Sequence, residues 1–288
     1  MIDSILAILT ALIWAVSVVF IRKGLNTSNF ISVSLVITIV GAVIFIPLAL
    51  LLTPLESINM YGVLLFLLAG FLQPGLVRLL YFKGMEEIGA SINATIYASY
   101  PIFSSLIAVT LLNEKLTFRL WLGIICVVFG AIIVQRAIHS SNVELKGRVK
   151  ELIYPILAAV LVGFSYVIKK KGLNICDTPI MGVAIGYIAA FCLYIFTLPI
   201  ISRGSTLIDK YSFKLFWKPG VGLCIGHLLA FYALKYGNVS TVTPLIQIEP
   251  LFILLLIHYY LKDIEKITSK LIIGAIAIIL GAILVTIA

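Results

Sequence analysis

The chain has 288 residues, 62% of them hydrophobic and only 11% charged, with a mean hydropathy of +1.17. A soluble domain carries about 25% charged and 45–50% apolar residues, so a soluble globular fold is excluded, and apolar segments recurring along the whole length exclude a soluble domain with a single anchor. The formal charge of +9 would point to nucleic acid in a soluble protein, but here the Lys and Arg fall mainly in short breaks between apolar stretches, where they anchor helix ends at lipid headgroups.

Those breaks divide the chain into ten stretches, each near the 20 or so apolar residues that a helix needs to cross ~30 Å of hydrocarbon. Residues 3–21 open with Asp3, lack an early Lys or Arg and show no small-residue cleavage pattern, which predicts a permanent first span rather than a cleaved signal peptide. This stretch carries Trp14 and Ser17. Residues 30–52 are uncharged, and residues 60–82 hold Pro74 and Arg78. Residues 89–112 carry Ser91, Tyr97, Tyr100 and Pro101 and run out to Glu114, and residues 118–137 hold Gly123 and Gly130. The longest hydrophilic connection, 136–151, carries Arg136, Lys146, Arg148 and Lys150 and falls almost at the midpoint, as a linker between halves would. Beyond it come 152–169 with Tyr166, 178–202, 214–235 with His227, 239–261 with Thr243, Gln247, Glu249 and Pro250, and 267–287 with Gly274 and Gly281. Membrane strands need only about 10 residues and alternate polar with apolar, so the fold class is predicted to be an all-α membrane protein of ten transmembrane helices. The four cysteines, Cys126, Cys176, Cys192 and Cys224, form no Cys-x-x-Cys pair and read as packing thiols rather than a disulfide framework or metal site.

The two halves repeat. Ser17-Val-Val-Phe-Ile-Arg-Lys-Gly-Leu-Asn26 returns 148 residues later as Ser165-Tyr-Val-Ile-Lys-Lys-Lys-Gly-Leu-Asn174. At an offset of 149, Arg78-Leu-Leu pairs with His227-Leu-Leu, Ser91 with Ser240, Pro101 with Pro250 and Glu114 with Asp263. Gly123 and Gly130 return as Gly274 and Gly281 at an offset of 151. Five spans is an odd number, so the second copy enters the membrane upside down, and inverted repeats are characteristic of secondary transporters. Residues 3–136 and 151–287 are therefore expected to be two inverted five-helix repeats. Orientation is a point of conflict. With cytoplasmic termini the inside segments would hold 6 basic residues and the outside segments 14, so the positive-inside rule places the termini outside.

The paired pattern resembles the EamA family of the drug/metabolite transporter superfamily across nearly the whole chain. Trp14 in the first span with Lys23 at its end carries the resemblance. So does the doubled run of Ser91 and Ser240, then Pro101 and Pro250, then an apolar run closed by Glu114 and Asp263, with a Gly-rich last span. The sequence departs from the pattern in having Val162 opposite Trp14 and Asp263 where a Glu is usual. The resemblance implies a multi-pass protein of the cell membrane with cytoplasmic termini. It also implies an exporter or exchanger of small metabolites, amino acids or amphipathic compounds, with a cavity between the halves.

Glu249 is the most informative residue, because an ionised side chain mid-span costs about 2.5–3.5 kcal/mol on insertion scales. Pro250 after it removes a backbone bond and frees the carbonyl of Ile246, so the pair makes a site for a proton, an ammonium group or a cation. The alternative is a neutral Glu hydrogen-bonded at a kink. Arg78 and His227, in matching third spans, would pair with Glu249 or bind an anionic group; the alternatives are snorkelling for Arg78, four residues from its span's end, and simple packing for His227. Trp14, Ser17, Tyr97, Tyr100, Tyr166, Gln247 and Thr243 are of the kind that line an amphipathic pocket, or else bond between helices. Pro101 and Pro250 are expected helix kinks. Gly182-x-x-x-Gly186 and Gly222-x-x-x-Gly226 read as internal packing rather than dimerisation, and Glu114 and Asp263 as loop caps. No phosphate loop, zinc-type pair or Ser/His/Asp set is present, so no cofactor is expected and energy comes from a gradient or exchange, with a proton or a second solute as the coupled partner. The competing readings are a lipid-modifying enzyme, which would need clustered His or acids where only the dispersed His139, His227 and His258 exist, and a channel or structural protein without saturable flux.

Overall fold

The computed structural model describes residues 1–25, 27–28, 30–88, 90–138, 149–202, 210–260 and 269–288. Apart from short 3-10 and π turns, their regular elements are α-helices, and ten segments are long and apolar enough to cross a membrane. The first span is α1 (Ile2–Leu25) and the second α2 (Phe30–Leu52). The third comprises α3 (Met60–Gly70), a π-helical stretch at Phe71–Leu76 and α4 (Val77–Ile88), and the fourth α5 (Ala90–Tyr97) and α6 (Tyr100–Leu112). The fifth to eighth are α7 (Phe118–Ile138), α8 (Ile153–Ile175), α9 (Pro179–Ser202) and α10 (Lys210–Tyr236). The ninth is α11 (Val239–Ile246) with α12 (Glu249–Tyr260), and the tenth is α13 (Ser269–Thr286). Residues 139–148 of the central linker, Asp263, and His139 lie outside the described residues.

Local chemistry sets several ends. The Asn59 side chain accepts from the Tyr61 and Gly62 N–H groups and starts α3. Asn113, left-handed at φ 56°, ends α6. Apolar side chains face outward, with Leu50 and Leu51 each 80% exposed, while Ser34, Thr38, Asn93, Ser104 and Ser165 are fully buried. This reversal of the soluble pattern follows when lipid replaces water as solvent, because polar groups then find partners only inside the bundle.

Packing between spans comes in matched pairs. The first span lies on the eighth and the third on the sixth, the fourth on the sixth and the first on the ninth, while the second meets the seventh and the fifth meets the tenth. Each relation persists when first-half and second-half spans exchange roles. Between α7 and α13 the match extends to single residues. A Cβ on Gly123 would meet Gly281 O at 3.0 Å, and one on Gly130 would meet Gly274 O at 2.7 Å. The backbones touch because no side chain stands between them. Gly70 likewise leaves no room for a Cβ against Gly186, and Gly182, Gly222 and Gly226 face Phe231, Ser17 and Trp14, so both small-residue patterns pack within the chain. Gly130→Val is expected to destabilise the bundle by about 1–3 kcal/mol, since its Cβ meets the backbone of α13 and cannot be accommodated by a rotamer change. Detergent thermal melts check this, and an unchanged melting temperature contradicts it.

Two spans run further than their charges imply. The third continues to Ile88, past Lys83 and Glu87, which pair at 2.6 Å on one helix face. Arg78 is therefore ten residues from its helix end rather than four. The sixth continues to Ile175, so Lys169 is not a headgroup anchor but is 3% exposed inside the bundle.

A candidate substrate cavity at broken helices

Three spans break near their middles, each at an X-Pro step. Proline has no N–H and its ring crowds the carbonyl four residues back, so Pro101 and Pro250 interrupt the helix after Tyr97 and Ile246. The two breaks are the same structure. Ala98 donates to Ala94 O, Ser99 to Ile96 O and Ile102 to Ser99 O; 149 residues on, Gln247 donates to Thr243 O, Ile248 to Leu245 O and Leu251 to Ile248 O. The third break falls at Gln73, whose φ −141° and ψ 119° are extended. Carbonyls left open there, Pro74 O and Gly75 O, both accept from the Tyr194 hydroxyl at 2.7 and 3.2 Å.

The breaks surround a cavity of about 350 Å³. Of the sequence-predicted residues, Trp14, Arg78, Tyr97, Tyr100, Tyr166, His227, Gln247 and Glu249 line it, together with Pro250. Ser17 and Thr243 do not. Ser17 is buried against Gly222 and donates to Ile13 O at 2.8 Å. Thr243 sits behind the wall, bonded to Ser104 at 2.6 Å, with its carbonyl accepting from Tyr100 OH at 3.3 Å. Pro101 is buried just behind Tyr100 and does not line the cavity. One wall is a run of rings, Tyr81 to Tyr97 at 5.0 Å, Tyr97 to Tyr100 at 5.6 Å and Tyr100 to Tyr166 at 5.9 Å. Across it Trp14 meets His227 edge-on at 5.1 Å and donates to Leu223 O at 3.3 Å.

Glu249 opens α12, where the helix dipole favours negative charge. The expected pairing of Arg78 or His227 with it is absent among the described residues. Arg78 Nη1 instead donates to Ser34 O at 3.3 Å and reaches Thr38 Oγ1 at 3.5 Å. Here α2 offers acceptors at closer range than the acid. His227 Nδ1 is shared between Tyr187 OH and Leu223 O, each at 3.0 Å. Gln73 and Gln135 also line the cavity. Gln73 was legible in sequence, as the residue before Pro74, in the same relation as Glu249 to Pro250.

Beyond the mid-span groups Tyr100, Tyr166, His227 and Gln247, the lining extends along the later half of the first span, the start of the second, and the Gln73–Met85 part of the third. These stretches lie toward the membrane face opposite the termini. At the termini face the spans are tied together. Glu114, ending the fourth span's loop, accepts from the Val239 and Ser240 N–H groups at 2.8 and 3.0 Å and from the Ser240 hydroxyl, capping α11 of the other half. Lys170 Nζ donates to Leu234 O at 2.7 Å at the end of α10, and Lys235 pairs with Asp177 at 2.8 Å.

Comparison with known proteins agrees with this architecture. An uncharacterized transporter of Archaeoglobus fulgidus is 24% identical over 99% of this chain and 98% of its own length. A probable magnesium transporter of Arabidopsis thaliana, NIPA6, is 28% identical, over 48% of this chain and 35% of that protein. A crystal structure superposes with a TM-score of 0.80 over 99% of this chain and 96% of that one at 16% identity, which shows a common fold. The EamA-like transporter family matches residues 1–136 and 149–287; the chain belongs to that family and is a multi-pass membrane transporter.

Proposed function

We propose that this protein is a secondary transporter of the cell membrane that exports or exchanges a small metabolite, amino acid or amphipathic compound by alternating access. The observation that carries the reading is the cavity itself, where aromatic walls suit an amphipathic solute and Glu249 and Arg78 supply opposite charges. Its position toward one face, with Glu114 closing the other, fits one end-state of a two-state cycle. Matched span contacts and the repeated backbone pattern at the two fourth-span breaks support two inverted five-helix units, 3–136 and 151–287, whose roles exchange in the opposite state. A proton on Glu249 or an exchanged solute provides the coupling. A divalent cation, as the name of the Arabidopsis relative would suggest, would meet one carboxylate and the fixed charge of Arg78 in this cavity.

A substrate screen in proteoliposomes, with and without a pH gradient, tests the reading. Saturable, substrate-specific flux that responds to the gradient or to a trans solute is expected. Non-saturating flux without selectivity would make the protein a channel.

A further inference from the structure

Lys169 is a cation in the bundle interior for which neither the broken helices nor the internal packing calls. Its Nζ donates to Gln73 Oε1 at 2.8 Å and otherwise faces rings, Tyr166 at 4.9 Å and Phe231 at 5.7 Å. Among the described residues no carboxylate lies within ion-pair distance. An ammonium has three donors, so one neutral amide leaves it under-satisfied. Lysines at such depth are rare and mark substrate or ion pathways.

A small void of about 10 Å³ touches Lys169, Gln73, Pro74, Tyr187, His227 and Phe231. It has room for about one water. Gln73, Pro74 and His227 also line the central cavity, so the Gln73 side chain stands between Lys169 and the cavity. Gln73 belongs to the extended step that breaks the third span, where its backbone is not held in an α-helical register. Arg78 and Glu249 line the central cavity and Lys169 lies in the adjoining void, two basic side chains to one acid.

We propose that Lys169 and Gln73 form a carboxylate subsite that opens off the central cavity. The Gln73 amide swings aside or turns its N–H₂ toward the ligand, and the substrate carboxylate replaces its oxygen as acceptor from Nζ. The charge-assisted bond is stronger than the neutral one it displaces. The inference rests on the transporter reading above and specifies its substrate class as one bearing a carboxylate.

The test uses three probes of one shape, benzoate, benzamide and benzylamine, with the purified full chain in lipid nanodiscs for binding and in proteoliposomes for flux. Wild type is expected to bind benzoate more tightly than benzamide by about tenfold or more. Lys169→Met should erase that preference without weakening benzylamine binding, because it removes a cation that repels the ligand ammonium, and Lys169→Arg should keep part of it. Equal binding of benzoate and benzamide by wild type overturns the subsite, as does benzoate preference surviving in Lys169→Met. Parallel loss of benzylamine binding in Lys169→Met assigns the lysine a structural role and overturns it too. If Lys169→Met does not fold, the wild-type comparison and Lys169→Arg decide. Saturable flux of any of the three with no benzoate preference, or with a benzoate preference that survives in Lys169→Met, removes the subsite and keeps the transporter, whereas binding and flux of none of the three overturns both.

Discussion

Glu249→Gln should abolish or decouple pH-dependent flux while leaving expression and membrane insertion normal. Glutamine has the same length and shape and keeps hydrogen-bonding capacity, and among the described residues the carboxylate has no ion pair to lose. The substitution therefore removes the ability to take up and release a proton without removing packing, and the detergent melting temperature is expected to change little. In the wild type, flux driven by a proton gradient passes through the protonated and deprotonated forms of this acid; in the variant only one form exists. Flux measured against pH for both proteins is the comparison that decides. Superimposable curves would reduce Glu249 to the residue that precedes a kink, and the proton would have to be dropped from the cycle.

Glu114→Ala should loosen the closed face. One carboxylate accepts from two backbone N–H groups and a hydroxyl at the start of α11, and alanine leaves those donors without their acceptor. Losing a capping carboxylate costs about 1–3 kcal/mol, or about 5–150-fold in the opening equilibrium. Hydrogen exchange read by mass spectrometry over residues 239–242 should accelerate by that factor, with Glu114→Gln intermediate because its amide oxygen still accepts. Unaltered exchange in Glu114→Ala would mean that α11 is held by packing alone. In a two-state transporter the same loss biases the population toward the state in which this face is open.

Much of this was legible because the bilayer imposes coarse rules. Span number follows from apolar length, and the breaks at Pro101 and Pro250 follow from a missing N–H. Depth and direction were harder to read. Lys169, Lys170 and Lys171 look like one charged helix end, yet consecutive helical residues differ by about 100° in direction. Lys169 turns inward to Gln73, Lys170 turns to the carbonyls ending α10, and Lys171 is exposed. Arg78 was misplaced for a related reason, since Lys83 and Glu87 satisfy each other and let the helix run on. Ser17 and Thr243 were expected in the cavity because they are polar. Small hydroxyls can instead bond to the carbonyl one turn back, Ile13 O and Val239 O, each at 2.8 Å, and so need no water.

The glycine contact between α7 and α13 has a historical side. Gly123 meets Gly281 and Gly130 meets Gly274, so the contact is self-complementary, as in a dimer of identical subunits. A single five-span ancestor presenting this face would have found its mate in another copy of itself inserted the other way up. While two such copies came from one gene, every substitution struck twice, and a lone charge at the centre would have arrived as a facing pair. Fusion into one polypeptide lifts that constraint. Position 249 holds an acid where its counterpart 100 keeps a tyrosine, and an arginine at 78 has a histidine at 227 as its counterpart. A cavity lined by a single acid and a single arginine is something two identical halves cannot make.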